Sequence, residues 1–440
     1  MAKPAPARRR GKGARGVPMP PSRLPPWNPG ARRERIRYAG FPMPRWVSLL
    51  LFFIPVLAVL SVGHVYLYRR LVRDVTKRKW LRRTAQGLFA VGFVGALSAR
   101  AIGSVLPSEG ARRLGIVFLL WIGLVLYLLM FTLAVDMVRA LAAWRERRKA
   151  RAETTAPTAP ASPERRALLG QGLAVGAGLA GVATSSYGGW RAYHPPDVRD
   201  IPVRLPHLPR ELEGLTLVQL TDIHIGGVIQ RRFMDELVSR TNALKPDVIA
   251  ITGDLVDGSV NALGGFAASL GKLRARYGTW FVTGNHDYYS GADSWVAFLE
   301  GLGIHALRNR SVSIGDGAAS FQLAGVDDWS AHRMGERGYD LDAALRDVRP
   351  DRASVLLAHQ PSNFDEVARR GVGLQVSGHT HGGQMFPGNL MGDLIWGDRN
   401  AGLSRTGDSL IYVSRGCGFV GPPMRVGAPP EIARLVLLPA

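Results

Sequence analysis

An α/β domain preceded by a set of apolar helices is the architecture this 440-residue chain predicts. Three observations point to it. Charge is divided unevenly: residues 1–190 carry 31 Lys+Arg against 7 Asp+Glu, whereas residues 191–440 carry 25 against 27. Four long apolar stretches fall before residue 190. From residue 215 onward, short β-type runs alternate with amphipathic helical stretches, the mark of a largely parallel, buried sheet covered by helices.

Residues 1–45 are rich in Pro, Arg, Gly and Ala and lack apolar periodicity, so they are expected to be a disordered basic tail. Residues 46–138 hold three stretches of membrane-spanning length, 46–68, 84–106 and 114–135. The second contains Arg100 near its end, where the side chain can snorkel to the interface. The third runs 22 residues without a charge. Residues 139–166 form a basic linker, and 167–189 a fourth, Ala/Gly-rich span. Before it, 163–170 reads PERRALLG, either an ordinary basic flank or a segment resembling a twin-arginine export signal in an internal position.

Residues 69–83 and 139–166 carry eight Lys/Arg each, against two in 107–113. The positive-inside rule puts both basic stretches in the cytoplasm. The predicted setting is a multi-pass protein of the cell membrane with its C-terminal domain outside the cytoplasm. The 12 Lys/Arg of the tail run against that assignment. Basic runs that flank apolar segments indicate anionic lipid surfaces, so nucleic acid is not expected as a stable partner. The single cysteine, Cys417, excludes an intrachain disulfide framework and a thiolate-rich zinc site.

Residues 190–214 read as a Pro-rich connection, and 215–440 as the α/β domain. Strands are expected at 215–222, 247–254, 279–285, 321–327, 354–360 and 374–380, with two more near the end. Helices are expected at 233–244, 263–277 and 294–302.

Ligand-type side chains stand at the ends of these strands. The first ends in Asp222-Ile223-His224, whose i and i+2 residues share a side of an extended chain. The next ends in Gly253-Asp254, and the third in Gly284-Asn285-His286-Asp287. Later strands end in His359 and in Gly378-His379-Thr380-His381. Ligands bind beyond the carboxyl ends of strands in open α/β sheets. Gly253, Gly284 and Gly378 each precede a ligand and allow a sharp turn or a close approach. A mixed Asp, Asn and His set without Cys suits Mn, Fe or Zn. It holds more donors than one tetrahedral ion needs, so two divalent metal ions are expected. Asp327-Asp328-Trp329 reads as a pocket wall or a turn. Arg415 and Arg425 are expected to line the cleft toward an anionic substrate, and Cys417 to be a small buried side chain.

In order and spacing, these five blocks resemble the calcineurin-like metallophosphoesterases over about residues 215–437, in the branch with membrane spans or an export signal before the catalytic domain. The resemblance implies a four-layered β-sandwich flanked by helices. It also implies a dinuclear centre: Asp222, His224 and His381 on one metal, Asn285, His359 and His379 on the other, and Asp254 bridging. His286 would contact the phosphate and protonate the leaving oxygen, with Asp287 orienting it. Two ions about 3.5–4 Å apart clamp the phosphoryl oxygens and activate a bridging water as hydroxide.

The expected activity is therefore a membrane-anchored phosphohydrolase acting on phosphate esters, diesters foremost, of a phosphorylated small molecule or a lipid-linked substrate. A pyrophosphohydrolase of a nucleotide–sugar–lipid and a non-catalytic metal-binding membrane scaffold are the alternatives. Substrate identity and oligomeric state have no readable code.

Overall fold

The computed structural model describes residues 45–105, 109–152, 163–317 and 319–440. The expected tail up to residue 44, and residues 153–162 of the basic linker, lie outside the described residues. The chain divides into two compact units, residues 1–56 and 57–440. Of the first, the described part is the opening of helix α1.

All four apolar stretches are helical. They form α1 (Arg45–Tyr68), α2 (Lys79–Val105), α3 (Glu109–Ala152) and α4 (Pro163–Tyr193). Among the described residues, two stretches are long and apolar enough to cross a membrane: Glu109–Lys149, whose most apolar 18 residues have mean hydropathy 2.7, and Leu168–Tyr193, whose most apolar 18 have 1.3. Much of the expected basic linker is the continuation of α3. Its sequence, built of Ala, Arg, Glu and Lys, consists of strong helix formers without a breaker.

Within the second unit, the two basic stretches meet at one end of this helical layer. Arg70 Nε donates to Asp136 on α3 at 2.8 Å, and Tyr66 Oη donates to the same carboxylate at 2.7 Å. Arg139 lies beside Gly170 on α4. The opposite ends of α3 and α4 meet the α/β domain. Arg112 donates to the carbonyl of Gly227 at 3.3 Å, and Ala192 is part of the domain core.

The domain begins earlier than expected. Within the predicted connection 190–214, β1 (Asp197–Leu205) forms a strand parallel to the last strand of the chain. Its alternating burial appears only toward its end, and Pro202 disguises it. Then follow β2 (Thr216–Leu220), α5 (Arg231–Ala243), β3 (Val248–Thr252), α6 (Val260–Ala267), β4 (Thr279–Val282), α7 (Asn285–Tyr289), α8 (Ala292–Gly301) and β5 (His305–Ala306). The second half runs β6 (Arg310–Asp316), β7 (Ala319–Gly325), α9 (Leu341–Leu345), β8 (Ser354–Leu357), α10 (Phe364–Arg369), β9 (Leu374–Ser377), α11 (Gly388–Trp396), β10 (Gly402–Thr406), β11 (Ser409–Val413) and β12 (Glu431–Pro439).

Two six-stranded sheets result, ordered β1-β12-β2-β3-β4-β5 and β10-β11-β9-β8-β7-β6. In the first, β2 to β5 are parallel and β12 is antiparallel to β2. In the second, β7, β8, β9 and β11 are parallel, with β6 and β10 antiparallel at the edges. The strands are apolar on both faces because both faces are covered. On β3, Val248 and Ala250 enter the core between the sheets, while Ile249 and Ile251 enter the core under α5, α6 and α8. A third core lies between the second sheet and α9 and α10. The sandwich therefore has four layers, helices outside and sheets within.

Candidate metal centre

The sandwich is apolar in its middle and turns polar at one end. Gln219 marks the change: it faces the second sheet and donates to Thr252 Oγ1 at 2.7 Å and to the Ser377 carbonyl at 2.8 Å. Beyond it, the carboxyl ends of β2, β3, β4, β8 and β9 bring all seven expected ligands together.

Three groups of donors lie close enough to share a cation, with ligand atoms within 4.8 Å of one another: Asp222, His224 and His381; His224, Asp254 and His286; Asp254, His359 and His379. His381 Nε2 stands 3.3 Å from Asp222 Oδ1 and 3.2 Å from His224 Nε2. His359 Nε2 stands 3.3 Å from Asp254 Oδ2, and His224 Nε2 3.8 Å from the same oxygen. Asp254 thus belongs to two groups at once.

The tautomers suit metal binding. His359 Nδ1 donates to the Thr252 carbonyl at 2.8 Å, which leaves the Nε2 lone pair facing Asp254. His224 Nδ1 faces Asp257 at 3.3 Å and so directs Nε2 inward. Nine buried side-chain N or O atoms have no hydrogen-bond partner among the described residues, and two of them, His359 Nε2 and Asn285 Oδ1, belong to the expected ligands. Buried polar atoms in folded proteins are ordinarily satisfied. Two bare atoms on expected ligands, one of them 3.3 Å from the shared Asp254 carboxylate, fit a divalent cation.

Electrostatics agree. Burial alone would raise the Asp254 carboxyl, but His359, His224 and His286 around it outweigh burial and hold it well below the usual carboxylate range. Burial would lower His359, yet Asp254 and Asp222 raise it well above an ordinary histidine. The carboxylates draw positive charge to this point.

The left-handed turns fall on the ligands themselves. Asp222, His224, Asp254, His379 and His381 have φ of 51°, 54°, 49°, 73° and 52°. Gly253, at φ 82°, behaves as expected of a turn glycine. Gly284 and Gly378 act differently: they are not in the left-handed region, and a Cβ there would collide with Asp254 and Asp222 respectively. They make room for a ligand rather than for a turn.

The expected partner of His286 is corrected. Asp287 is fully buried and accepts from the backbone N–H groups of Gly284, at 2.7 Å, Leu255 and Val256. It closes the start of α7, and burial together with Asp254 pushes its carboxyl up to about 7. The carboxylate on the His286 ring is Asp257, whose Oδ1 is 2.5 Å from Nδ1. Asp257 also faces His224, so one carboxylate orients a ligand and its neighbour. The readable signal was the spacing Gly253-Asp254-x-x-Asp257 on one turn after β3. His286 and Asp257 are the half-open members of the centre, with side chains 20% and 26% exposed.

The cleft-lining expectation for the arginines is also corrected. Arg425 is completely buried. It donates to the carbonyls of His381 and Gly418 at 3.0 Å, and its Nη2 lies 3.1 Å from His381 Nδ1. Burial lowers its pKa to about 10. Arg415 is tied to Glu431 at 3.0 Å. Asp327 accepts from Arg308 at 2.9 Å, and Asp328 caps the turn at Ser330. Cys417 is buried as expected, and burial pushes its thiol up to about 12.

Comparison with known proteins agrees with this geometry. Residues 215–383 match the calcineurin-like phosphoesterase family. A Bos taurus protein described as "Transmembrane protein with metallophosphoesterase domain" is 41% identical over 258 residues, covering 56% of this chain and 58% of that protein. An "Uncharacterized metallophosphoesterase" of Aquifex aeolicus is 35% identical over 229 residues, 51% of this chain and 85% of that one. The chain belongs to the calcineurin-like phosphoesterases. It spans about three-fifths of the length of the bovine relative. The family is one of metal-dependent hydrolases, and the clustered Asp and His side chains described above are groups that could hold its metal ions.

Proposed function

We propose that this protein is a membrane-anchored phosphohydrolase that cleaves phosphate esters, diesters foremost, at a dinuclear centre on the outer face of the cell membrane. The observation that carries the reading is the donor set: carboxylates and imidazoles from both sheets converge, with His359 Nε2 and Asn285 Oδ1 buried and unpartnered.

Asp222, His224 and His381 would hold one divalent ion, and Asn285, His359 and His379 the other, with Asp254 shared. Mn, Fe or Zn suits this nitrogen and oxygen set. When bound, such ions supply Lewis acidity and an activated water. The chain's own contribution is order. Asp257 holds Nδ1 of His286, so Nε2 is the nitrogen that meets solvent and substrate. His286 contacts the phosphoryl group and gives a proton to the leaving oxygen. The buried walls exclude bulk water from the ligand side and leave the His286 side open to the ester.

Membrane anchoring is supported by α3 and α4, and the reading extends to four spans. Orientation is supported by the helical layer: both basic stretches lie at the end away from the domain, which the positive-inside rule assigns to the cytoplasm. A substrate that is lipid-linked follows from that location. The test is turnover of bis-p-nitrophenyl phosphate by the full chain with Mn²⁺, compared with Asp254→Asn. Absence of turnover by the wild-type protein, or equal rates in the two, sinks the enzymatic reading.

A further inference from the structure

The α/β domain carries an apolar surface that its metal chemistry does not explain. Ten large apolar side chains between residues 197 and 440 are exposed among those described, and five of them, Phe386, Leu390, Met391, Leu394 and Ile395, fall within ten residues. They occupy α11 and the turn before it. No residue of α11 is buried, and Leu394 is 81% exposed. Patches of this kind on soluble domains mark interaction sites.

Three contacts say what covers this one. Backbone N–H of Phe386 donates to Val426 at 2.8 Å, and N–H of Arg425 donates to Gly188 of α4 at 2.9 Å. The start of α11 is therefore one loop, 420–426, away from α4. Met424 sits between the helices: a Cβ at Gly123 of α3 would collide with it, and one at Gly188 would lie 3.3 Å from its Cβ. A span of about 20 residues, counted from Asp136 at the basic end of α3, finishes at Ile116. Gly123 lies inside that point by about 10 Å. The loop at 420–426, Val-Gly-Pro-Pro-Met-Arg-Val, reaches below the boundary with its one charge, Arg425, buried against His381. Helix α11 packs on the ligand turn at both ends, through Asn389 at its start and Trp396 at its finish. A Cβ at Gly383 would strike Asn389, and the Trp396 ring lies 5.9 Å from that of His379.

We infer that α11 and the 420–426 loop dock in the outer leaflet of the bilayer and hold the metal centre at its surface, facing amphiphilic phosphate esters whose apolar part stays in the leaflet. This rests on the membrane-anchored reading above. A surface helix with one apolar face beside a span is suited to lie in the interface plane, and an ester held there meets His286 without leaving the membrane.

The experiment uses the full chain in phosphatidylcholine vesicles, spin-labelled at Leu394→Cys, Leu133→Cys on α3 or Lys272→Cys on the far face of the domain. Collision with oxygen, which concentrates in the bilayer, is compared with collision with a water-soluble nickel chelate. Oxygen should dominate at positions 133 and 394, and nickel at 272. Nickel dominance at 394 overturns the docking. Shielding of 394 from both probes also overturns it, in favour of a protein partner. Nickel dominance at 133 instead defeats the spanning reading and the docking with it.

A second arm compares hexadecyl p-nitrophenyl phosphate in the same vesicles with bis-p-nitrophenyl phosphate in solution. Leu394→Glu combined with Ile395→Glu should lower the ratio of the two rates, and an unchanged ratio removes the amphiphile. Turnover of neither compound sinks the phosphoesterase reading and the amphiphile together, and the labels alone then decide the docking.

Discussion

The two sheets reach the metal centre with different chemistry. The first contributes both carboxylates, the amide of Asn285 and His224, together with the half-open pair His286 and Asp257. The second contributes imidazoles only: His359, His379 and His381. The carboxylates and the half-open His286–Asp257 pair thus reside on one edge, and imidazoles on the other. Two of the three donor groups draw on both sheets. A cation bound there would add to the apolar core and the few hydrogen bonds, such as Gln219 to Ser377 and His359 to Thr252, that already join the two layers.

The contrast breaks most completely at Asp254, which serves both halves. Asp254→Asn should lower kcat/KM by on the order of 10³-fold, with bound metal, read by atomic emission, falling alongside. His286→Ala should act on the chemistry and leave metal content intact. Its cost is about 10²–10⁴-fold for an alkyl leaving group and much less for p-nitrophenolate, which departs without a proton. Equal losses on the two leaving groups would remove His286 as the acid.

Asp257→Asn should cost about 10–100-fold, reproducing the leaving-group pattern of His286→Ala in weaker form. Asp287→Ala tests the corrected assignment. It should register in thermal unfolding as about 1–3 kcal/mol, because three backbone N–H groups lose their acceptor. The smallest comparison concerns the tie between the sheets. Metal at 100 times its Kd should stabilise the fold by about 2.7 kcal/mol per site, measured as a fall in Tm on chelation. An unchanged Tm would mean that the sheets close without it.

The clustering of the candidate donors was legible because each follows an apolar strand, and strand ends are visible in the pattern. Gly253-Asp254 and Gly378-His379-Thr380-His381 stand out even in isolation. Asp257 was missed because it lies on a turn, where a carboxylate normally caps backbone. Asp287 was misassigned for the converse reason: it follows His286 in the chain, but α7 turns it toward its own N–H groups. Arg425 looked like a substrate arginine because its loop is rich in Gly and Pro, and nothing local reveals that the guanidinium points inward at His381. β1 was hidden by Pro202 and by its mostly exposed first half. Its partner β12 lies more than 200 residues away, beyond the reach of any local pattern.

Five of the ligands hold a backbone shape that suits glycine better than aspartate or histidine. Each such residue costs roughly 1 kcal/mol or more in conformational strain. Replacing any one of them by glycine relaxes the chain and removes a donor in the same step. A lineage freed from the need for catalysis would therefore find that decay of this centre brings a sturdier fold, and that regaining it means accepting a weaker one.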